Sequence, residues 1–198
     1  LMHRNEIVGR MTSDLDRLFA VCQNGEAATP APRDDNFRMR AIMGQGENAP
    51  IGLWELIAIE KSTGRRLWTM GGPPVEEKFG NELAMAWFAG PPAVLGQELF
   101  QIVERNGSIQ LTCLKSSTGQ LRWSLPLAYP DIDIAQDPAR QLLAAQTRAD
   151  AGVVFTTTTT GWIFAVDALT HSPLWSRRLP TASRSDARAR SFRNPTFL

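Results

Sequence analysis

LIAIEKSTGRRLW, Leu56 to Trp68, is an apolar run that ends in an acidic residue, turns on Ser-Thr-Gly and closes on a single tryptophan. Its short alternating apolar half, bounded by a glycine turn, reads as a β-strand. The arrangement returns twice, as QLTCLKSSTGQLRW ending at Trp123 and as WIFAVDALTHSPLW ending at Trp175, so the tryptophans stand 55 and 52 residues apart. Ten residues before each of them sits a small side chain, Ala58, Cys113 or Ala165, between apolar or β-branched neighbours. Five residues before each comes Thr63, Thr118 or Thr170, followed by Gly64, Gly119 or His171. Glycine supplies the left-handed backbone that a tight turn requires, and histidine is among the other residues enriched there.

The parts upstream match as well. RLFAVCQNG (17–25) and ELFQIVERNG (98–107) are apolar strands ending in Asn-Gly, and GVVFTTTTTG (152–161) fills the same place in the third unit. Asn-Gly favours a two-residue hairpin, because both positions must accept positive φ. Each unit is therefore predicted to be a set of successive antiparallel strands. A repeat of roughly 50 residues is the period of a propeller blade. A four-stranded blade cannot bury both faces alone and must stack on its neighbours. One large indole on the outermost strand of each unit, Trp68, Trp123 or Trp175, suits that task, since it covers apolar area while its N–H reaches a rim acceptor.

The pattern Ala-x-Asp-x-x-Thr-Gly-x-x-x-Trp resembles the pyrroloquinoline-quinone-like propeller repeats. The first copy carries Ala58, Glu60, Thr63, Gly64 and Trp68; the second, Cys113, Lys115, Thr118, Gly119 and Trp123; the third, Ala165, Asp167, Thr170, His171 and Trp175. Lys115 replaces the acid and His171 the glycine, so the second and third turns depart from the pattern. The resemblance implies an all-β chain, a partial β-propeller of four-stranded antiparallel blades of the quinoprotein-like kind. Blade 1 is expected over 1–75 with an insertion at 26–52, blade 2 over 76–130, blade 3 over 131–180, and a basic tail or linker over 181–198. Propellers close with four to eight blades, so further blades of the same chain or of another are expected to complete the ring.

The 198 residues are 43% apolar and 21% charged, enough for a packed core. A net charge of +1 gives no drive toward nucleic acid. Six arginines between Arg177 and Arg193 face only Asp186, and the Arg-, Ser- and Ala-rich composition there reads as a solvated end. The most apolar stretch is broken by Pro91 and Pro92, so no membrane-spanning segment is expected. The N-terminus lacks the pattern of a signal peptide.

Quinone-dependent enzymes of the resembled family hold their cofactor between a tryptophan and a disulfide of adjacent cysteines, with calcium held by acidic and amide groups and an aspartate as base. Cys22 and Cys113 are far apart in sequence, and Cys113 occupies the slot of Ala58 and Ala165, where a small buried side chain is wanted. Asp131, Asp133 and Asp137 are spaced suggestively for a calcium loop, but Ala135 and Gln136 stand where a ligand and a glycine are needed. They read as an acidic inter-blade connection. Thr156 to Thr160 reads as a strand with one hydroxylated face, and His171 as a turn residue. No catalytic, cofactor-binding or metal-binding residue is assigned. The insertion at 26–52 is unexplained by the repeat; Arg33, Phe37, Arg38 and Arg40 within it are the candidate partner-binding residues.

By resemblance, the expected function is a non-catalytic scaffold in the periplasm or cell envelope that binds a protein or an envelope component. Two other readings stay open: a segment of a quinone-dependent dehydrogenase whose cofactor residues lie in other blades, and a propeller sensor domain attached to a kinase or hydrolase.

Overall fold

A computed structural model describes residues 11–23, 54–74 and 81–180. The described residues form three antiparallel sheets, in sequence order along the chain. The first contains β1 (Met11–Ser13), β2 (Arg17–Gln23), β3 (Trp54–Glu60) and β4 (Arg66–Gly71), in that spatial order. The second runs β5 (Trp87–Phe88), β7 (Glu98–Arg105), β8 (Ser108–Lys115), β9 (Leu121–Ala128), with β6 (Ala93–Leu95) also paired to β7. Its inner strand is split into β5 and β6 because Pro91-Pro92 lies between them and cannot donate ladder hydrogen bonds. The third runs β10 (Thr147–Asp150), β11 (Val153–Thr157), β12 (Trp162–Asp167), β13 (Pro173–Arg178). Consecutive strands pairing edge to edge, sheet after sheet, are the blades of a partial β-propeller.

The three sheets repeat one another bond for bond at the turn after the third strand. Gly64, Gly119 and His171 donate their N–H to Glu60, Lys115 and Asp167 carbonyls at 2.8, 2.8 and 3.0 Å. Their φ angles are +74°, +76° and +57°. Glu60, Lys115 and Asp167 donate in return to Arg65, Gln120 and Ser172. Acidic side chains reinforce two of these turns. Thr63 Oγ1 donates to Glu60, and Asp167 accepts from the backbone N–H of Leu169 and Thr170. These bonds hold both carboxyls below the usual range. Lys115 dispenses with the side-chain bond, and the backbone pair suffices.

A second shared feature is a cross-strand row. Phe19, Ala58 and Trp68 lie opposite one another on successive strands, as do Phe100, Cys113 and Trp123, and Phe155, Ala165 and Trp175. Each small residue is also where the register shifts by a bulge. The phenylalanine and tryptophan centroids are 5.9, 5.9 and 6.1 Å apart, so a small residue between them lets the two rings meet. Ala58, Cys113 and Ala165 are all buried. Burial pushes the Cys113 thiol up to about 12, which keeps it protonated and unreactive.

Between sheets, the indole meets the next sheet's turn. Trp68 Nε1 donates to the Ser116 carbonyl at 3.0 Å, and Arg17 Nη1 reaches Ser116 Oγ at 3.0 Å. A Cβ on Gly119 would stand 2.7 Å from the Trp68 ring, so only glycine fits beneath it. At the second junction the His171 ring stacks on Trp123, with centroids 4.5 Å apart and planes 26° off parallel. Trp123 Nε1 has no acceptor there among the described residues. Trp175 lies 46% exposed.

One expectation needs adjusting. The threonine run is strand only to Thr157; Thr158 to Thr160 form the turn before β12, where Thr158 Oγ1 accepts from Trp162 N. Hydroxyls suit both settings, because they bond nearby backbone in turns as readily as they face solvent on strands. The insertion at 26–52 and the tail at 181–198 lie outside the described residues.

Trp123→Ala is expected to cost about 3 kcal/mol through the cavity it leaves, and Trp175→Ala well under half of that; urea midpoints of the two variants compare them. Gly64→Ala and Gly119→Ala both incur roughly 1–2 kcal/mol for a left-handed alanine. Gly119→Ala additionally strikes the Trp68 ring, so it must be the more destabilising of the two in the same titration.

Candidate binding site

Because the strands alternate in direction, the long connections gather at one end of the sheets. The Gln23–Trp54 pair marks where 24–53 leaves and rejoins the first sheet. The β4–β5 and β9–β10 connections and the two-residue hairpin Asn106-Gly107 share this end. The turns after the third strands lie at the other.

Here a cleft of about 300 Å³ opens between the first and second sheets, lined by Trp54, Met85, Trp87, Glu104, Asn106 and Asp133 among others. Trp54 and Trp87 meet edge to face with centroids 4.8 Å apart. Trp87 lies directly across from Glu104 in the β5–β7 pair.

Glu104 is the organising charge. It is 3% exposed, and its Oε1 accepts from Ile134 N at 2.9 Å while Oε2 accepts from Arg140 Nη2. Arg140, also buried, donates from Nη1 to the Ile132 carbonyl at 2.6 Å and from Nε to Thr159 Oγ1 at 3.4 Å. One ion pair thus ties the second sheet, the β9–β10 connection and the third sheet's turn together. Desolvation raises the Glu104 carboxyl above its ordinary range, opposed by Arg140 and by the Ile134 N–H. Within the connection, Asp133 accepts from Ala135 N at the start of a 3₁₀ turn, Ile134–Gln136. Asp137 accepts from Arg140 N at the start of α1 (Pro138–Gln141). Of the three aspartates that resemble a calcium loop in sequence, Asp133 and Asp137 serve as caps.

A second, wider cleft of about 550 Å³ follows, lined by Tyr129, Ile132, Asp137, Arg140, Trp162 and Arg178 among others. Exposed apolar side chains crowd these connections: Tyr129 is 74% and Leu142 68% exposed, with Met85, Ile132 and Leu143 also open to solvent. Arg33, Phe37, Arg38 and Arg40 lie outside the described residues. Trp68, Trp123, Trp175, Ala58, Cys113, Ala165, Gly64 and Gly119 belong to the sheets and to the turns at the opposite end. Trp54, Trp87, Glu104 and Arg140 are not among the residues that the repeat singles out. One signal was available, an acid two residues before Asn-Gly in an otherwise apolar strand.

The described side chains do not fit a quinone with its calcium ion. Cys22 and Cys113 are free thiols on different sheets. Glu104 is committed to Arg140 and Ile134, and no group of three metal-capable side chains occurs among the described residues.

Residues 54–141 match the family model described as outer membrane protein assembly factor BamB. No curated protein sequence matches the chain. Among solved structures, BamB from Moraxella catarrhalis is 25% identical over 66% of this chain and 33% of that one, with a TM-score of 0.42. A europium-containing methanol dehydrogenase is 12% identical over 85% of this chain and 31% of that one, at 0.47. The quinohemoprotein alcohol dehydrogenase ADHIIG from Pseudomonas putida HK5 is 12% identical over 85% and 26%, at 0.47. The chain spans about a third or less of the length of each.

Arg140→Met would strand Glu104 as a buried unpaired acid, and breaking such a pair costs about 3–5 kcal/mol. A carboxyl whose folded pKa is raised contributes stability that is complete below its unfolded pKa and is lost as pH rises through the folded one. The Arg140→Met deficit must therefore be largest near neutral pH and shrink toward acid, which urea titrations across pH measure directly. The congruent turns and the shared Phe–small–Trp rows make the described residues a partial β-propeller, and over residues 54–141 its repeats are similar to those of the matched family model.

Proposed function

We propose that the chain is a non-catalytic docking scaffold of the cell envelope, whose loop end engages a protein partner. The supporting observation is the gathering of exposed Tyr129, Ile132, Leu142 and Leu143 on the β9–β10 connection, which the Glu104–Arg140 pair fastens to the sheets, with exposed Met85 on the β4–β5 connection at the same end. Apolar side chains held on a braced frame bind with little loss of conformational freedom. Clustered exposed apolar surface is the usual mark of a protein contact. β2 ends and β3 begins at this same end, and Arg33, Phe37, Arg38 and Arg40, which lie outside the described residues, are retained as candidate partner-binding residues. The match to an outer-membrane assembly factor supports an envelope setting and a protein as partner. No helix among the described residues is long and apolar enough to cross a membrane.

Photo-crosslinking side chains placed at Tyr129 and Met85 are expected to give one defined protein adduct in the native envelope, and a probe at Leu169, at the opposite end, none. Adducts from Leu169 alone, or none from either loop-end position, reject the surface. Titrating the chain with pyrroloquinoline quinone and calcium tests the rival directly: stoichiometric binding with alcohol oxidation would replace the scaffold by a dehydrogenase.

A further inference from the structure

The β9–β10 connection, residues 129–146, interleaves two kinds of exposed side chain. Tyr129, Ile132, Leu142 and Leu143 are apolar and open to solvent. Asp131 and Asp133 are exposed on either side of Ile132, and Asp137 is half-buried. Tyr129, Asp131, Ile132 and Asp137 line the same cleft of about 550 Å³, so apolar and acidic groups share one recess. The connection lies between the second and third sheets and not at either end of the stack.

Its charge is unbalanced. Three aspartates stand against one arginine, and that arginine is buried on Glu104. None of the three aspartates forms an ion pair among the described residues. Asp133 and Asp137 each commit Oδ1 to a backbone N–H of the connection itself, and the second oxygen of each makes no hydrogen bond among the described residues. Arg178 lines the same cleft without pairing to either aspartate there.

A surface of this kind selects its occupant. Apolar side chains call for an apolar counterpart, and unpaired carboxylates among them call for cations, which steer the encounter and fix its register. Tyr129, at 74% exposure, offers a ring face on which a guanidinium or ammonium group can rest. Anionic lipid headgroups and nucleic-acid phosphates are repelled by the same carboxylates. We propose that the β9–β10 connection docks a basic, apolar segment of a protein partner. Its Lys or Arg side chains are set against Asp131, Asp133 and Asp137, and its apolar side chains against Ile132, Leu142 and Leu143. This rests on the reading of the loop end as a docking surface and adds the chemistry of what docks there.

Asparagine can replace all three aspartates without loss of the caps, because its amide oxygen accepts the same backbone hydrogen bonds. The adduct from a photo-crosslinker at Tyr129 is expected to fall roughly tenfold in the Asp131→Asn, Asp133→Asn, Asp137→Asn triple variant, the effect of three exposed ion pairs. It should fall likewise as salt screens them. On the purified 198-residue chain, a fluorescent peptide of lysine and leucine is expected to bind and one of glutamate and leucine is not. The triple variant should bind the first about tenfold more weakly, and far-UV circular dichroism checks that it folds. An adduct undiminished in the triple variant overturns the basic partner and leaves the docking surface standing; no adduct at all overturns both. Replacing Arg184, Arg188, Arg190 and Arg193 by Gln tests the chain's own basic stretch as the occupant. Unchanged affinity for the lysine–leucine peptide supports a partner, whereas much tighter binding means that this stretch already covers the surface and rejects the proposal.

Discussion

Stacking in this protein depends on an indole laid across the turn of the neighbouring sheet. A small antiparallel sheet has two faces and cannot shield both, so its stability is tied to what lies beside it. Trp68 meets that need in two ways, covering apolar area and passing its N–H to the Ser116 carbonyl. The rest of the repeat follows from holding that ring in place. A small residue sits opposite it, a bulge re-aims the strand there, a phenylalanine packs behind it, and a glycine with positive φ clears the surface on which it lands.

The junction tolerates variation where the backbone alone can hold it. Lys115 discards the acidic reinforcement of the turn, and the turn keeps its shape because its two backbone bonds remain. His171 discards the glycine, adopts the left-handed conformation, and lays its own ring on Trp123. The exchange leaves Trp123 Nε1 without an acceptor among the described residues, a donor burial that costs on the order of 1–3 kcal/mol. Stacking of the two rings offsets part of that cost.

The two ends of the sheets have different work. At the turn end, the junctions bind sheet to sheet. At the other end, the connections are long enough to carry side chains unrelated to the repeat, and there the buried Glu104–Arg140 pair performs the fastening. A pair so deeply placed adds little net stability over an apolar substitute. It does fix the position of the β9–β10 connection, through four hydrogen bonds that reach the second sheet, that connection and the third sheet's turn. Exposed apolar groups on that connection are thereby held in place instead of collapsing on the core.

The sequence by itself determined the strands, the turns and the stacking residue, because each is written at short range. A short apolar run bounded by a glycine turn marks β3, Asn-Gly marks the β7–β8 hairpin, and the spacing of Trp68, Trp123 and Trp175 counts the units. Even the slot of Cys113 was legible, since a small residue opposite a tryptophan is a local requirement. Phe19, Phe100 and Phe155 recur in aligned strands, but their meaning appears only when the register sets them across from Ala58, Cys113 and Ala165. The tertiary structure alone decided that Glu104 and Arg140 meet and that the long connections share one end. These depend on which segments arrive at the same place in space. Pairing across sheets has no period, and a buried charge has no meaning until its partner is found.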